Sequence, residues 1–303
     1  MTIPLRIAEE VAAALADGRP VVALETTLVS HGFSGGRGLE VALESERRVR
    51  AAGAVPATVG IADGAIRVGL DEAALRRFAE AGTAARKAGP RDIAACVVQR
   101  ALGSTTVGGT LAAARLAGIS FLGTGGIGGV HRGFAESLDI SADLVQIART
   151  PALVVCSGAK SILDVPATAE LLETLAVPVL GWQTPVLPLF YTGEGGPPVS
   201  AVIGSPAEAA AVATAHWAVH PGGGLLLGRP PAAGLDLAGL IDDAVRQVRA
   251  DGITGQAVTP AVLALIEELS DGRSVAVNRQ LICDNAGLAG EIAVAWAGFG
   301  DRG

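Results

Sequence analysis

Short apolar runs alternate along the chain with longer segments in which apolar residues recur every three or four positions. A continuous apolar run is typical of a strand buried on both faces of a sheet, whereas the longer spacing is typical of a helix with one apolar face. The first two segments of the chain show one pattern each. Residues 6–17 have helical spacing and end at Asp17-Gly18, and Pro20-Val21-Val22-Ala23-Leu24 is continuously apolar.

The same patterns recur to the end of the chain. They predict strands over residues 20–24, 55–61, 65–69, 92–98, 119–123, 152–156, 177–181, 199–203 and 223–228. They predict helices over residues 6–17, 38–52, 71–80, 107–117, 142–148, 166–174, 206–217, 235–251, 259–269 and 279–296. Asp63-Gly64, between two of the strands, is a typical hairpin sequence. The alternation predicts an α/β domain with a largely parallel central sheet and an edge hairpin.

The composition indicates an ordered globular protein. Half of the 303 residues are hydrophobic, 17% are charged and only 3% are aromatic, so the core consists mainly of aliphatic side chains. No internal repeat, low-complexity tract or clear linker interrupts the pattern. We therefore expect residues 1–303 to form a single domain.

Charge and cysteine content exclude several classes of partner. The net charge of −7 and the pI of about 5.2 do not support a nucleic-acid or anionic-membrane surface, although a small phosphate ester can still bind a local positive pocket. The N-terminal residues do not resemble a secretory signal, and no apolar stretch reaches the roughly 18 residues of a membrane span. Cys96, Cys156 and Cys283 are far apart, which indicates free thiols in a reducing cytoplasm.

Only two of the 23 basic residues are lysines, Lys87 and Lys160. Arginine keeps its proton in proteins, whereas lysine can lose it and attack a carbonyl carbon once burial or neighbouring charges lower its pKa. Lys160 follows the predicted strand 152–156 in an apolar setting, which favours a Schiff-base nucleophile. Chance retention in an arginine-rich composition is the alternative for both lysines.

Polar residues directly follow the first predicted strand, in Glu25-Thr26-Thr27-Leu28-Val29-Ser30-His31-Gly32. Ligands of open α/β sheets bind at the carboxyl ends of the strands. Glu25 is therefore a candidate for proton transfer, beside hydroxyls and an imidazole. The alternative is a carboxylate that caps a helix or pairs with an arginine.

Two glycine-rich segments are candidates for phosphate binding. Gly103-Ser104-Thr105-Thr106-Val107-Gly108-Gly109-Thr110 precedes a predicted helix, whose N-terminal amides and dipole favour an anion; an ordinary capped helix start is the alternative. Thr124-Gly125-Gly126-Ile127-Gly128-Gly129-Val130-His131-Arg132-Gly133 follows another strand, and its His131 and Arg132 can face a phosphate or a metal-bound water. A purely structural histidine is the alternative for His131. Neither segment has the spacing of a Walker A or dinucleotide-binding motif.

Carboxylates and amides mark two further segments. Asp139-Ile140-Ser141-Ala142-Asp143 places two carboxylates around a hydroxyl, a set that can hold a hard divalent cation. Capping of a helix by Ser141 or Asp139 is the alternative. Asn278-Arg279-Gln280 and Asp284-Asn285-Ala286 place amides on a predicted helix, where they can read the edge of a nucleobase or bind nothing.

Taken together, these segments resemble the pseudouridine-5'-phosphate glycosidase family, also called indigoidine synthase A-like. The likeness runs in order from about residue 4 to residue 297. Its matching motifs are Ala23-Leu24-Glu25-Thr26-Thr27-Leu28-Val29-Ser30-His31-Gly32, Thr124 to Gly133, Ser141-Ala142-Asp143-Leu144, Cys156-Ser157-Gly158-Ala159-Lys160-Ser161-Ile162-Leu163-Asp164, Ala257-Val258-Thr259-Pro260 and Asp284-Asn285-Ala286.

The resemblance implies a three-layer α/β/α fold and a single catalytic domain that assembles as a homotrimer in the cytoplasm. It implies reversible cleavage of the C–C bond between uracil C5 and ribose C1' of pseudouridine 5'-phosphate. The products are uracil and ribose 5-phosphate, and the reaction passes through a lysine imine. It also implies a divalent metal, typically Mn²⁺.

By motif position, the resemblance implies that Lys160 is the nucleophile and Glu25 the proton donor. Lys87 and the Val107 backbone fall on substrate-binding positions, and Asp139 falls on the metal ligand. The further substrate-binding candidates are Thr106, His131, Ser141, Ala142, Asp143 and Asn285.

The chain departs from the family pattern at three places, and the first and the last can alter recognition of the base or a closing loop. The last is the reduction of the family's asparagine pair near the end of the chain to Asp284-Asn285. The family usually continues Ser-His-Gly with Phe-Pro, where this chain has Phe33-Ser34-Gly35-Gly36. The family usually carries an Asp-Glu pair before a proline in the segment after Gly181, where Thr184-Pro185-Val186-Leu187-Pro188 has neither acid. The catalytic set is intact, so we expect the chemistry to be retained and the base to be the open question.

Three alternatives remain at the level of sequence. Another Schiff-base lyase or aldolase that acts on a phosphosugar would use the same lysine without needing uracil. A related domain of indigoidine-pigment clusters acts on a phosphorylated intermediate. A non-catalytic sugar-phosphate sensor would need the positive charges but no nucleophile.

Overall fold

The computed structural model describes residues 3–33, 36–253 and 258–300. Its strands are β1 Leu5–Ile7, β2 Val21–Leu24, β3 Val55–Ala62, β4 Ala65–Val68, β5 Arg86–Ala88, β6 Gly103–Thr105, β7 Phe121–Gly123, β8 Leu153–Cys156, β9 Val179–Trp182, β10 Ala201–Ile203 and β11 Leu225–Gly228. Its helices are α1 Glu9–Ala16, α2 Thr27–His31, α3 Arg37–Ala51, α4 Glu72–Ala81, α5 Ile93–Val98, α6 Val107–Ala117, α7 Phe134–Ser137, α8 Ala142–Ala148, α9 Val165–Thr174, α10 Pro206–Val219, α11 Ala238–Ala250, α12 Val258–Leu269 and α13 Arg273–Gly300. Two short 3₁₀ helices cover Gly82–Ala84 and Pro90–Asp92.

The strands form one mixed sheet whose central part is parallel. The order is β1-β4-β3-β2-β7-β8-β11-β9-β10, and β5 and β6 form a side branch on β3. Every pair from β3 through β2 to β10 is parallel. Among the described strands, antiparallel pairing joins only β3 with β4 and β3 with β6. The predicted largely parallel α/β sheet is confirmed.

Helices cover both faces of the central sheet. Alternate residues of β2 belong to different apolar clusters: Val21 and Ala23 share one with side chains of α1, α6 and α8, and Val22 and Leu24 share another with α3, α10 and α13. All four are at most 5% exposed. This double burial explains the continuous apolar run and produces the three layers.

β3 connects the central sheet to a smaller sheet. Its first half, Val55 to Thr58, pairs with β2, and its second half pairs with β4 and β6. Asp63 and Gly64 turn the chain between β3 and β4 with φ of 55° and 76°, the backbone of a tight hairpin turn. The predicted hairpin is present, and β1 adds one strand beyond it.

The predicted strand 92–98 is wrong, because this segment is the helix α5. A short apolar run suits either a buried strand or a buried helix. Here Ile93, Cys96 and Val97 are buried at helical spacing, and Val98 is 76% exposed. The exposed face therefore distinguishes this helix from a strand that is buried on both sides.

Other boundaries differ where the local pattern is weak. Residues 5–7 pair with β4 as β1, so the first helix begins at Glu9 and not at residue 6. The sequence pattern missed β5 and β6, whose residues are partly charged or hydroxylic, and it missed the five-residue helix α2. Within the described ranges, every helix is too short or too polar to cross a bilayer.

We expect Gly158→Ala to destabilise the protein far more than Gly18→Ala. Both glycines have positive φ, 86° and 68°, so both substitutions introduce backbone strain. A Cβ at Gly158 would lie 1.9 Å from the carbonyl oxygen of Pro188, whereas a Cβ at Gly18 meets nothing within 4 Å. Denaturant unfolding should show a loss of roughly 3 kcal/mol or more for Gly158→Ala and about 1 kcal/mol for Gly18→Ala. Equal losses would contradict the importance of the Pro188 contact.

Candidate active site

Three loops meet at the carboxyl edge of the parallel sheet. Glu25 follows β2, Thr124 follows β7, and Lys160 lies four residues beyond the end of β8. β7 pairs with both β2 and β8, so the sheet itself brings these loops together. The Thr124 hydroxyl donates a short hydrogen bond to the Glu25 carboxylate, which is 5% exposed.

Backbone hydrogen bonds hold the lysine loop against the glycine-rich loop. The Lys160 N–H donates to the Ile127 carbonyl oxygen at 3.1 Å, and the Leu163 N–H donates to the Lys160 carbonyl oxygen at 3.0 Å. The Ile127 N–H in turn donates to the Gly158 oxygen at 3.1 Å. The backbone of Lys160 is therefore fixed while its side chain lines a cavity.

Lys87 reaches the site from the small sheet. It lies on β5, which pairs with β6. The Thr105 N–H of β6 donates to Thr26 Oγ1 at 2.8 Å, and that hydroxyl donates to the Val59 carbonyl oxygen at 2.8 Å. This buried contact fastens the end of β2 to the small sheet, so that Lys87 and Glu25 line the same cavities.

Two adjoining cavities share Glu25, Thr27, Lys87 and Lys160. The polar chamber, of about 210 Å³, is further lined by Gly89, Pro90, Arg91, Asp92, Thr106, Gly128, His131, Asp139, Ile140, Ser141, Ala142, Asp143 and Leu163. The apolar chamber, of about 60 Å³, is further lined by Leu28, His31, Gly32, Phe33, Thr124, Gly125, Gly126, Phe190, Leu263, Asn278 and Ile282. The two lysines and the carboxylate thus stand where a polar compartment meets an apolar one.

The Asp143 carboxylate links two of the predicted motifs. It accepts hydrogen bonds from the Gly108 N–H at 2.7 Å and the Gly128 N–H at 2.9 Å, and Thr106 Oγ1 lies 3.3 Å from it. The Gly109 N–H donates to Thr106 Oγ1 at 3.2 Å. Protein side chains therefore cap the start of α6. This agrees with the ordinary capped helix start that the sequence offered as the alternative to phosphate binding at residues 103–110.

Gly128 must be a glycine for this arrangement. A Cβ there would lie 2.3 Å from Ser141 Oγ and 2.9 Å from Asp143 Oδ2. Ser141 caps α8 by accepting from the Asp143 N–H at 3.2 Å. Ser141, Ala142 and Asp143 all line the polar chamber, and Asp143 also organises its wall.

Asp139 and His131 lie together on the polar chamber. Their side chains approach to 3.8 Å between Nδ1 and Oδ2, and the His131 N–H donates to the Asp139 carbonyl oxygen at 3.0 Å. Across the part of the chain that the structure describes, no group of three or more His, Cys, Asp or Glu side chains could hold a metal ion. A cation here would therefore have at most two of these side chains as ligands.

Val107 and Asn285 line neither chamber. Val107 is 1% exposed within the apolar core. Asn285 is fully buried, and its amide donates to the Thr124 carbonyl oxygen at 2.8 Å and to Ser157 Oγ at 3.1 Å. Asn285 therefore supports the loops that carry Glu25's partner and Lys160, from behind the chambers.

The apolar chamber contains residues that sequence patterns did not single out as candidates. Phe33, Phe190, Leu263 and Ile282 look like ordinary core residues in the sequence, and only the fold shows that they face a cavity. Asn278 was an ambiguous amide, and it lines this chamber. Residues 34–35, part of a departure from the family pattern, lie outside the described residues.

Burial changes the proton affinities of the central groups. Burial raises the pKa of the Glu25 carboxyl, against the opposing effects of the Lys160 charge and the Thr124 hydrogen bond. Burial also lowers the pKa of Lys87, and the positive charge of Lys160 lowers it further. Burial and Lys87 lower the pKa of His31. Each change favours the neutral form, which suits proton transfer near neutral pH.

Comparisons with known proteins agree with this architecture. The family model described as "Indigoidine synthase A like protein" matches residues 10–295. A pseudouridine-5'-phosphate glycosidase of Chloroflexus aurantiacus is 48% identical over 96% of this chain and 98% of its own length. That of Roseiflexus sp. is 46% identical over 98% of this chain and 97% of its own length.

Two solved structures are similar over nearly their whole length. The prealnumycin C-glycosynthase AlnA, crystallised with ribulose 5-phosphate, is 40% identical with a TM-score of 0.90, and the likeness covers 100% of both chains. An indigoidine synthase A-like protein from Thermotoga maritima is 32% identical with a TM-score of 0.87, over 97% of both chains.

We expect Glu25→Gln to stabilise the folded protein at alkaline pH. A carboxyl whose pKa is raised by folding contributes stability that is fully present below its unfolded pKa and is lost as the pH rises through its folded pKa. The amide does not ionise, so the variant avoids this loss, which is worth about 1.4 kcal/mol for each unit of raised pKa.

Denaturant unfolding at about pH 5 and about pH 8 tests this expectation, because the advantage of Glu25→Gln should grow with pH. Glu80→Gln, on the exposed face of α4, is the matched control and should change stability by less than about 0.5 kcal/mol at both pH values. A variant whose stability follows the wild type in parallel at both pH values would contradict the buried-carboxyl account.

Proposed function

This chain belongs to the indigoidine synthase A-like family, and from that membership and the site geometry we infer its reaction. It cleaves the C–C glycosidic bond of pseudouridine 5'-phosphate to uracil and ribose 5-phosphate. The observation that carries the proposal for the site is the position of Lys160 and Glu25, which line both the polar and the apolar chamber. A nucleoside phosphate has the same division, with a polar sugar phosphate joined to a flat base.

The polar chamber suits the sugar phosphate. Lys87, Arg91 and His131 supply cationic groups or donors, and Thr106 and Ser141 supply hydroxyls. We assign the phosphate to Lys87, which the family resemblance places at a substrate-binding position. A phosphate dianion beside Lys87 would favour its protonated form, which burial alone disfavours.

The apolar chamber suits the base. Phe33 and Phe190 offer ring faces and edges to a flat heterocycle, and Leu28, Leu263 and Ile282 complete the wall. Asn278, 8% exposed, offers an amide that can pair with a donor and an acceptor on one edge of uracil. We assign base recognition to Asn278 in place of Asn285, because Asn285 lies behind the chambers.

Cleavage of the bond from C1' to uracil C5 requires an electron-donating atom on C1'. Protonation of the leaving base alone is insufficient, because carbon is a poor leaving group. We propose that Glu25 assists opening of the ribose ring and that Lys160 then becomes bonded to C1' through nitrogen. When the bond from C1' to uracil C5 breaks, the nitrogen lone pair forms a C=N bond at C1', and C5 takes its electron pair and a proton.

Glu25 is the proposed source of that proton. Its raised pKa keeps a fraction of the carboxyl protonated at higher pH than an exposed glutamate, and Thr124 holds its position. After uracil departs, water adds to the imine, ribose 5-phosphate is released and Lys160 is regenerated. The same steps in reverse join uracil to ribose 5-phosphate.

We propose that a hydrated divalent cation, Mn²⁺ by family resemblance, binds at Asp139. A single carboxylate beside Ser141 and His131 fits an ion that keeps several water ligands and shares its charge with a substrate phosphate. Bound there, the ion would neutralise phosphate charge and help to orient the sugar. Asp139 would hold the ion, and Lys87, which lines the same chamber, would bind the phosphate.

We further propose that residues 1–303 are one catalytic domain and that three copies assemble in the cytoplasm. The exposed apolar side chains of Phe134, Leu138, Ile140 and Val145 lie within one short segment, which supports burial against another copy. The three free, buried cysteines suit a reducing compartment.

We expect Lys160 to be the residue that forms a covalent adduct with ribose 5-phosphate. Borohydride reduction of the enzyme with ribose 5-phosphate and Mn²⁺, followed by peptide mass mapping, should place the reduced sugar phosphate on Lys160. Lys160→Arg keeps the charge but not the nucleophile, so turnover of pseudouridine 5'-phosphate should fall by at least about a thousandfold.

Lys87→Arg is the matched control for this experiment. It should still form the adduct on Lys160 but should require a higher concentration of ribose 5-phosphate, since only the phosphate contact is altered. An adduct on any other residue, or none on Lys160 in protein that binds the sugar phosphate, would overturn the assignment and favour a sugar-phosphate sensor.

We expect Asp139→Asn to weaken Mn²⁺ binding in the presence of ribose 5-phosphate by roughly 10- to 100-fold. The amide keeps the size of the side chain and removes the negative charge that attracts the ion. Electron paramagnetic resonance of free Mn²⁺ measures the affinity directly. Glu136→Gln, an exposed carboxylate in α7 outside the polar chamber, should leave it within about twofold. Equal effects of the two substitutions would contradict a site at Asp139.

A further inference from the structure

One wall of the apolar chamber separates it from a further cavity of about 210 Å³, the outer cavity. Lys160 and Glu25 line the apolar chamber but not the outer cavity, so this wall lies on a different side of the chamber from them. Five of the described residues line both cavities and form the wall: His31, Gly32, Phe33, Leu263 and Asn278. Of these five, His31 and Asn278 have polar side chains.

His31 brings a hydrogen-bond acceptor without a partner to this wall. It is the last residue of α2, the short helix that begins two residues after Glu25. Among the described residues, its buried Nε2 has no hydrogen-bond partner. The hydrogen bond of the ring to the backbone of Ala85 therefore involves Nδ1, which places the ring proton there. Burial and the charge of Lys87 lower the pKa of His31, so the neutral ring is favoured and Nε2 is an acceptor.

The base offers donors to this wall once its C5 faces Glu25. In the uracil ring C2 lies opposite C5, so N1–H, the C2 carbonyl and N3–H all point away from the reacting carbon. The Asn278 amide, which we assign to the base, pairs with one donor and one adjacent carbonyl. N3–H has a carbonyl on each side, so the amide can pair with it in either orientation. The donor that remains is N1–H, and a buried donor requires an acceptor.

We propose that His31 Nε2 accepts a hydrogen bond from N1–H of the base and stabilises the positive charge that the ring acquires when C5 is protonated. This inference rests on the proposed function, because it concerns the same cleavage. It also accounts for selection of a C-nucleoside. N1 carries a hydrogen in pseudouridine, whereas in an ordinary uridine nucleotide N1 carries the sugar and has no hydrogen to donate.

The electron pairs balance within the ring and the lysine adduct. The C5=C6 π pair takes the proton from Glu25, and the N1 lone pair forms an N1=C6 bond, which leaves a positive charge on N1. The Lys160 nitrogen then forms the C=N bond at C1', the C1'–C5 pair becomes the new C5=C6 bond, and N1 recovers its lone pair. A positively charged N–H donates a stronger hydrogen bond than a neutral one, so the contact with His31 is strongest near the transition state.

The test is cleavage of pseudouridine 5'-phosphate and its 1-methyl and 3-methyl derivatives, with kcat and KM measured for release of the base. A methyl group on N1 removes the donor and occupies the space next to His31. The wild-type enzyme should therefore cleave the 1-methyl substrate at least about 100-fold less efficiently than the unmethylated one. His31→Ala removes the acceptor and should lower kcat for the unmethylated substrate by about 10- to 100-fold. It also makes room for the methyl group, so the two substrates should then differ by no more than about threefold.

The controls separate this contact from a general loss of structure. The 3-methyl substrate keeps N1–H, so its efficiency relative to the unmethylated substrate should agree within about twofold between wild type and His31→Ala. His220→Ala removes an exposed imidazole beyond the end of α10, outside both chambers, and should change no rate by more than about twofold. Borohydride trapping of ribose 5-phosphate on Lys160 shows whether His31→Ala is folded, because that reaction does not involve the base.

Two results would overturn the inference and leave the glycosidase function intact. One is wild-type cleavage of the 1-methyl substrate within about threefold of the unmethylated one, a comparison that needs no variant. The other is an unchanged preference against the 1-methyl substrate in His31→Ala protein that still traps ribose 5-phosphate. Failure of the wild-type enzyme to form an adduct on Lys160 would instead contradict the proposed function, and this inference with it.

Discussion

Both faces of the central parallel strands are sealed by apolar side chains, and the site depends on this constraint. A strand buried on both sides cannot carry a charged group along its length, so polar residues collect where the strands end. The change from apolar to polar residues comes at Glu25 after β2 and at Thr124 after β7. Because β2 and β7 are neighbours in the sheet, the first polar residues after these two strands lie next to each other. The loop that carries Lys160 follows β8, the other neighbour of β7, and therefore lies beside them.

Burial at this edge produces the chemistry as well as the geometry. The carboxyl of Glu25 and the amine of Lys87 are both removed from water, and each is shifted toward its neutral form. Opposite charges nearby offset only part of that effect. The shift of both groups toward their neutral forms, which favours proton transfer, is therefore the direct result of burial. Burial of these two groups lowers the stability of the fold, and the surrounding apolar core offsets this loss.

Rigidity of the loops comes from backbone contacts that tolerate no side chain. Asp143 accepts hydrogen bonds from the first turn of α6 and from the loop after β7, and Gly128 has no room for a Cβ beside Ser141. Gly158 lies against the Pro188 carbonyl oxygen in the same way. These contacts fix the backbone around Lys160 and make the polar chamber a preformed cavity. The apolar chamber, by contrast, is bounded by Phe33 and Leu263, whose side chains set its length.

The sequence by itself determined the layered α/β fold, the run from β2 into Glu25, and the prominence of Lys160, because buried strands and rare lysines leave local signals. It could not decide that residues 93–98 form a helix, since a short apolar run fits either element until one face is seen to be exposed. Nor could it separate Asn278 from Asn285, two amides on one helix. Only tertiary packing turned the first toward a cavity and enclosed the second behind it. Contacts between residues distant in the chain also decided the pairing of β5 with β6, which brings Lys87 to the active site.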